Sequence, residues 1–419
     1  MSRLLRALAV LPLIAAAPLA AQSIVRNQGF AVDVSGWTAD GGFLSVAWSS
    51  LDAAGLGGSG SAVLANSAAA PRSTGGISQC VAVVPGVTYP GRVLFRAPSG
   101  QAATGSVRAA VELYANGGCS GTPISSFANS ASVGSTFDTW IALVIGDVLV
   151  PAAASSALVT LAVSKDQAGG TFRAAFDDVT LGPLLTLTIP ASASLHGQNG
   201  AFFHTDVWVV NTAPGLAQTL RLRHRCFSGP TCGGAEQVVL VNARASRLFS
   251  DVLASLFGDA ETAGALEVSY ESAVGRPTIL ARTYSPSLPE PTTGSALPAV
   301  PASQAGTRTV LAGLGGSGGS LALGFRSNVG AYNPGDAPVT VTFELHGGNG
   351  ALLGSFNRTL GAREPAQVND VFTAAGAAAS VTANAYAIVS AAAPVFSYAT
   401  VIDNQSGDSV IVLGEPEHP

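Results

Sequence analysis

The chain has 419 residues and a formal net charge of -5, and only 11% of its residues are charged. That length holds two or three ordinary domains. The sparse, slightly negative charge excludes a basic nucleic-acid-binding surface, so no nucleic acid partner is expected.

The first predicted element is a targeting segment. In "MSRLLRALAVLPLIAAAPLAAQS", Arg3 and Arg6 precede a short apolar run that ends in the small residues Ala20 and Ala21. This is the layout of a secretory signal peptide over 1–22, too short for a membrane span. Cleavage is expected near Ala21 or Gln22, so the mature protein is exported, to the cell surface or the medium. No cysteine lies near that point, so no lipid anchor is expected.

Beyond it, helical periodicity is almost absent. Short β-rich runs recur, such as "ISQCVAVV", "GRVLFRA", "RAAVELYA", "TLRLRHRC", "ALEVSYE" and "VTVTFELHG", broken by Gly, Pro, Asn and Asp. That spacing predicts all-β sandwiches. The stretch 140–163 is nearly as apolar as a membrane helix, but Asp147 and Pro151 interrupt it and β-branched residues are frequent. It is predicted to be two buried strands, and no transmembrane segment is assigned.

A first unit spans 23–183. After it a repeat begins: "FHTDVWVVN" at 203–211 returns as "FRSNVGAYN" at 325–333. Turn-rich stretches follow both copies, then "RLFSDVLASLFG" and "AQVNDVFTAAG". Matching order implies duplication, with units at 184–300 and 301–419. Successive strand side chains face opposite ways. Phe203, Thr205, Val207, Val209 and Asn211 match Phe325, Ser327, Val329, Ala331 and Asn333, so these positions are expected to face the core. The other positions, His204, Asp206 and Trp208 against Arg326, Asn328 and Gly330, are expected to face solvent or a copy-specific contact.

Four cysteines, Cys80, Cys119, Cys226 and Cys232, predict disulfides in an exported chain. Three pairings exist. Cys80–Cys119 with Cys226–Cys232 is favoured because each bridge then stays within one unit. No paired C-x-x-C suggests metal.

Catalytic patterns are weak. Asp251 and Asp370 recur at one place in the two copies, and each reads as the N-cap of a short helical turn closed by glycine. "RHR" at 223–225 reads as an exposed strand edge. His204 and Asp206 share a strand face and read as a structural or solvated pair. "GGSGG" at 315–319 fits G-x-S-x-G formally, but a strand rather than a helix follows, so it reads as a flexible loop. Asp177 and Asp178 are adjacent in one strand and point to opposite faces, so they do not flank one bond. No enzyme activity is expected.

The opening "NQGFAVDVSGW" and closing "FDDVTL" of 23–183 resemble the bookends of carbohydrate-binding modules with the galactose-binding-like jelly roll. "ISQCVAVVPGVTYPGRVLFRA" follows the same pattern of strand, turn, tyrosine and strand. The duplicated region resembles a repeat of exported bacterial proteins and is expected to form immunoglobulin-like sandwiches. The expected fold is therefore all-β, a jelly-roll β-sandwich followed by two tandem immunoglobulin-like β-sandwich repeats. The resemblance implies a polysaccharide or glycan partner met by aromatic rings, for which Trp48, Tyr89, Tyr114 and Trp140 are the candidates, while Trp37 reads as core. It also implies a structural Ca²⁺ held by Asp177 or Asp178, though Ala31 and Val32 stand where the family commonly has an acid. The alternative is a structural or adhesive cell-surface protein acting through protein partners or self-association.

Overall fold

The structure is a computed structural model that describes residues 23–55, 59–133, 138–197, 201–227, 235–285, 292–320 and 322–417. The expected signal peptide, 1–22, and Cys232 lie outside the described residues.

The first ten strands are β1 (Thr38–Asp40), β2 (Leu44–Ser49), β3 (Ser61–Asn66), β4 (Thr74–Ala82), β5 (Thr88–Arg96), β6 (Gly105–Tyr114), β7 (Ser125–Val133), β8 (Ile141–Leu149), β9 (Ser156–Lys165) and β10 (Phe172–Leu181). They form two five-stranded antiparallel sheets, ordered β1-β4-β9-β6-β7 and β2-β3-β10-β5-β8. Apart from the hairpins β2-β3 and β6-β7, neighbours in each sheet are distant in sequence, the interleaving of a jelly roll. Strict alternation drives it: along β5 every second residue, including Tyr89, Val93 and Phe95, is buried. These meet Ile77, Val111 and Leu161 of the facing sheet in one apolar core. The apolar stretch 140–163 resolves into β8 and β9, joined by a turn in which Ala154 N donates to Pro151 O. Among the described residues no helix is long and apolar enough to cross a membrane. A Cys80–Cys119 disulfide ties β4 to the loop after β6.

The next strands are β11 (Leu184–His196), β12 (Phe202–Asn211), β13 (Gln218–Cys226), β14 (Gln237–Val241), β15 (Ala245–Phe249), β16 (Thr262–Glu271), β17 (Thr278–Ser285), β18 (Thr293–Pro298) and β19 (Val300–Pro301). Their order is β14-β13-β16-β11-β12-β17-β18, with β15 added to β12 and β19 to β11. A register shift between Ile189 and Ser192 interrupts β11, and the strand carries on to β12.

The last strands are β20 (Gly306–Ser317), β21 (Phe325–Tyr332), β22 (Val339–His346), β23 (Leu352–Leu360), β24 (Pro365–Val368), β25 (Val381–Asp403), β26 (Ser409–Leu413) and β27 (Glu415–Pro416). β25 is 23 residues long and serves two sheets. Its first part pairs with β20 and β22, and Phe396–Asp403 pairs with β21. Ala392, Ala393 and Pro394 are exposed at the corner between the two.

Four of the five repeated positions face the core in each copy, while the first does not: Phe203 is half-buried and Phe325 is 40% exposed. Thr205, Val207, Val209 and Asn211 are buried, as are Ser327, Val329, Ala331 and Asn333. Their hydrogen bonds also match. Thr205 Oγ1 donates to Ala193 O and accepts from Ala193 N, and Ser327 Oγ does the same with Gly315. Asp206 accepts from Asp251 N at 2.9 Å, and Asn328 from Asp370 N at 3.1 Å. The opposite face is no solvent surface. His204, Asp206 and Asn328 are buried too.

Several local expectations need correction. β14 pairs with Gln218–Leu222 and stops short of "RHR", which pairs with β16 alone among the described residues; Arg223 is exposed there, but His224 is buried. His224 faces inward with Leu220 and Leu222, and its Nδ1 lies 2.7 Å from Asp259 Oδ2. Burial lowers its pKa against the pull of Asp259. His204 stacks edge-on to Tyr284, and Asp206 takes the Tyr284 hydroxyl at 2.9 Å. "GGSGG" is no loop at its start, because Gly315, Gly316 and Ser317 belong to β20. A Cβ at Gly315 would stand 2.6 Å from Phe325 Cβ, so glycine there permits close packing. Asp370 caps the helix Val371–Ala374 as expected. Asp251 does not cap its turn, because its Oδ2 accepts from Ser194 Oγ instead.

Candidate functional site

The opening segment of the first unit lies along the end of β10. Ile24 N donates to Leu181 O, and Val179 N donates to Gln28 O. Between these contacts β10 shifts register from Asp177 to Thr180, with Asp178 at φ 47°. The shift turns both carboxylates toward Gly29. A Cβ built there would stand 3.8 Å from Asp177 Oδ1, Asp178 Oδ1 and Ser59 Oγ.

Asp177 is fully buried. Its Oδ2 accepts from Ala53 N at 2.9 Å and its Oδ1 from Asp178 N at 2.7 Å. Burial pushes its pKa up to about 7, the two backbone donors oppose this, and the neighbouring Asp178 and Asp52 add to it. Asp178 is also raised, by burial first and then by Asp52, while Arg92 lowers it. Its Oδ2 is buried without a hydrogen-bond partner among the described residues.

Trp48 closes the same corner. Its Nε1 donates to Phe30 O at 2.7 Å, and the ring stays 40% exposed at the end of edge strand β2. Ser59 Oγ donates to Gly29 O at 2.9 Å. A Cβ at Gly60 would fall 2.5 Å from Trp48 Nε1, so glycine there leaves the indole its place. Trp48, Asp177 and Asp178 thus share one corner with Gly29, Phe30, Ala53 and Ser59. Gly29, Ala53 and Ser59 were not singled out in the sequence. Small residues in turn-rich stretches carry no periodic signal.

The other aromatic candidates are elsewhere. Tyr89 is 1% exposed, with Val84 N donating to its hydroxyl, so its ring is core. Tyr114 is 6% exposed and donates to Glu112 Oε2. Neither ring offers a face to a ligand. Trp140 is half-buried just before β8, at the opposite edge of the sheet from β2. Four strand spacings, about 19 Å, separate the two edges, so Trp48 and Trp140 form no common platform.

The donor set at the corner suits a hard cation. Asp177 Oδ1 and Asp178 Oδ1 converge on Gly29, while Asp178 Oδ2 lies toward Gly215, buried and with no hydrogen-bond partner among the described residues. Ca²⁺ takes such oxygens together with carbonyls and water. Among the described residues there is no cluster of three or more His, Cys, Asp or Glu arranged for metal. The rest of a shell would come from carbonyls, the Ser59 hydroxyl or solvent.

The chain is thus an all-β protein of successive sandwich sheets. No family model matches it, and no curated protein does. Solved structures show likenesses over its length in part. The enzymatically active domain of tailspike protein 4 of bacteriophage CBA120 is 18% identical over 38% of this chain and 21% of its own, with a TM-score of 0.30. A C-terminal family 22 carbohydrate-binding module of Clostridium thermocellum is 21% identical over 37% of this chain and 89% of its own, with a TM-score of 0.27. A family 61 carbohydrate-binding module in complex with β-1,4-galactotriose is 16% identical over 39% of this chain and 99% of its own, with a TM-score of 0.27.

Proposed function

We propose that this is an exported, non-catalytic binding protein whose unit 23–183 recognises a polysaccharide or glycan, with the two following units presenting that module. The observation that carries the reading is Trp48, an indole fixed by Phe30 O yet 40% exposed at a sheet edge. A flat ring held this way stacks on the C–H face of a sugar, and nearby backbone and side-chain polar groups serve its hydroxyls. A Ca²⁺ ion at Asp177 and Asp178 would brace the loop that seats the indole.

The test is a pull-down of the full chain on insoluble polysaccharides, with a glycan array, with and without calcium. Retention that drops about tenfold on Trp48→Ala supports the reading. No retention on any glycan counts against it.

A second reading is adhesive. Trp208 pairs across β12 with Leu248 on one side and Leu280 on the other, and both leucines are exposed. Val238 and Leu240 of β14 are exposed as well. Such an apolar surface suits a protein contact. Concentration-dependent oligomers in light scattering would favour it, and a monomer with sugar affinity would not.

A further inference from the structure

A cavity of about 870 Å³ lies between the second and third units. Small-molecule sites commonly span roughly 300–1,000 Å³. One wall is the outer face of β21, β25 and β26, where the register sets Asn328 beside Thr400 and Thr400 beside Ile411. The facing wall comes from β11, with Phe203 and Phe227. At the far end of the same strand face, Tyr332 and Phe396 pack against Ala265 and Val300. The two units therefore touch at one end and part at the other.

Arg326 stands on this wall. It is half-buried, its Nη1 donates to Asn404 Oδ1 at 2.6 Å, and it has no ion-pair partner among the described residues. Burial lowers its pKa with no nearby acid to offset the effect. Arg358, an exposed residue on the same lining, also has no ion pair among the described residues. The acid on the lining is Asp370, and its carboxylate is engaged by Thr373 N and Thr373 Oγ1. His196 is already 2.6 Å from Glu261. Thr400 Oγ1 makes no hydrogen bond among the described residues.

A guanidinium removed from water without a counter-charge is costly, and its planar fork matches a carboxylate. The amides of Asn328 and Asn369 line the same space, as does the ring of Phe325; their oxygens already accept from Asp370 N and Gln367 Nε2, so their nitrogens are the groups turned to a ligand. Amide nitrogens donate to hydroxyl oxygens, and a ring suits a C–H face. We propose that this cavity binds an acidic saccharide, with the ligand carboxylate on Arg326 and its hydroxyls on the amides. The site is separate from the Trp48 corner and does not depend on the reading given for it.

The experiment is calorimetric titration of the full chain with trigalacturonate, with β-1,4-galactotriose as the neutral counterpart and with inorganic phosphate. Trigalacturonate is expected to bind, and galactotriose at least about tenfold more weakly, the worth of one charge-assisted pair. Arg326→Gln should lose about tenfold or more, Arg358→Gln should weaken binding while leaving the melting temperature unchanged, and Trp48→Ala should leave it intact. If Arg326→Gln does not fold, Arg358→Gln decides. No binding of trigalacturonate, equal binding of galactotriose or phosphate by the Trp48→Ala protein, or native affinity in a folded Arg326→Gln would overturn the proposal.

Discussion

Lys165 is the chain's only lysine and it is fully buried. Its Nζ donates to the carbonyls of Ala68, Gly169 and Gly170, which pins the loop after β9 and the loop after β3 to one point. Methionine would fill a similar volume and leave these three carbonyls without that donor. Ala68 is buried, whereas Gly169 and Gly170 are exposed and their carbonyls turn to water. One orphaned buried acceptor costs about 1–3 kcal/mol, so Lys165→Met is expected to lower the unfolding free energy by about 2 kcal/mol in urea titration, and a loss under about 1 kcal/mol would show that water replaces the ammonium at Ala68 too. Asp177 makes a prediction of opposite kind. Its folded pKa of about 7 stands above its ordinary 3.8. Below pH 3.8 both states carry the proton and the group contributes nothing. Between pH 4 and 7 the unfolded chain releases the proton while the folded chain holds it, so stability falls as pH rises. Above 7 the deficit is constant, on the order of 4 kcal/mol for a shift of this size. In chelator, the melting temperature should drop across this window, and Asp177→Asn should flatten the drop. Added calcium should restore it at pH 7.5 and do little at pH 4. A flat profile in the unmodified protein would mean that Asp177 ionises freely.

At the scale of elements, the third-unit strand β21 repeats the devices of β12. Asn211 ends β12, its Nδ2 donates to Leu216 O and Val241 O, and its Oδ1 accepts from Ala213 N. Asn333 follows β21, its Nδ2 donates to Ala337 O and Gly361 O, and its Oδ1 accepts from Gly335 N. Each buried amide closes the turn after its strand and ties it to a second one. Asn211→Ala and Asn333→Ala should each cost about 2–3 kcal/mol, and thermal unfolding should place the two within about 1 kcal/mol of each other. Unequal losses would mean that the two turns are not braced alike. This correspondence was legible because a strand repeats every two residues, so a kept core face shows as kept alternate letters. The apolar run 140–163 was legible as two strands because Asp147 and Pro151 interrupt it, but only β9 is largely buried, and β8 leaves Val144 and Leu149 exposed. What escaped was set by neighbours that the sequence does not order. His224 looked exposed because nothing local says that its side of β13 packs inward on Asp259 and Phe257, and Tyr114 looked available because nothing local says that its ring is covered. The glycines of β20 read as a loop because their use is to admit Phe325 and Phe372, which are near only in the fold. Of the candidate site, Trp48 and the aspartate pair were legible as residue types. Their meeting at Gly29 depends on the bulge in β10, which leaves no mark in composition.

At the scale of the whole molecule, the units are joined by side chains that reach across. Arg92 of the first unit donates to Ala217 O at 2.7 Å and pairs with Glu271 at 3.4 Å, and Asp147 lies 2.6 Å from Arg221. The second and third units share one carboxylate. Glu267 Oε2 accepts from Arg225 of its own unit at 2.7 and 2.9 Å, while its Oε1 takes the Tyr332 hydroxyl at 2.5 Å and Arg363 at 3.3 Å from the next unit. Burial and the Glu267 charge both push the Tyr332 phenol up, so it stays a donor at any working pH. Removing one partner of such a network leaves buried charge uncompensated, which typically costs about 3–5 kcal/mol. Glu267→Gln leaves two guanidiniums facing a neutral amide at the contact between the units. Scanning calorimetry of the unmodified chain should show these two units melting in one transition, and Glu267→Gln should split it, with the third unit melting first because it loses two of its holds. Glu261→Gln, an exposed change at the His196 pair, should leave the transition whole. If Glu267→Gln also melts as one, the apolar contact of Tyr332 and Phe396 with Ala265 and Val300 is what couples the units. In that case Phe396→Ala is the substitution that separates them, and the cavity between the units would open with it.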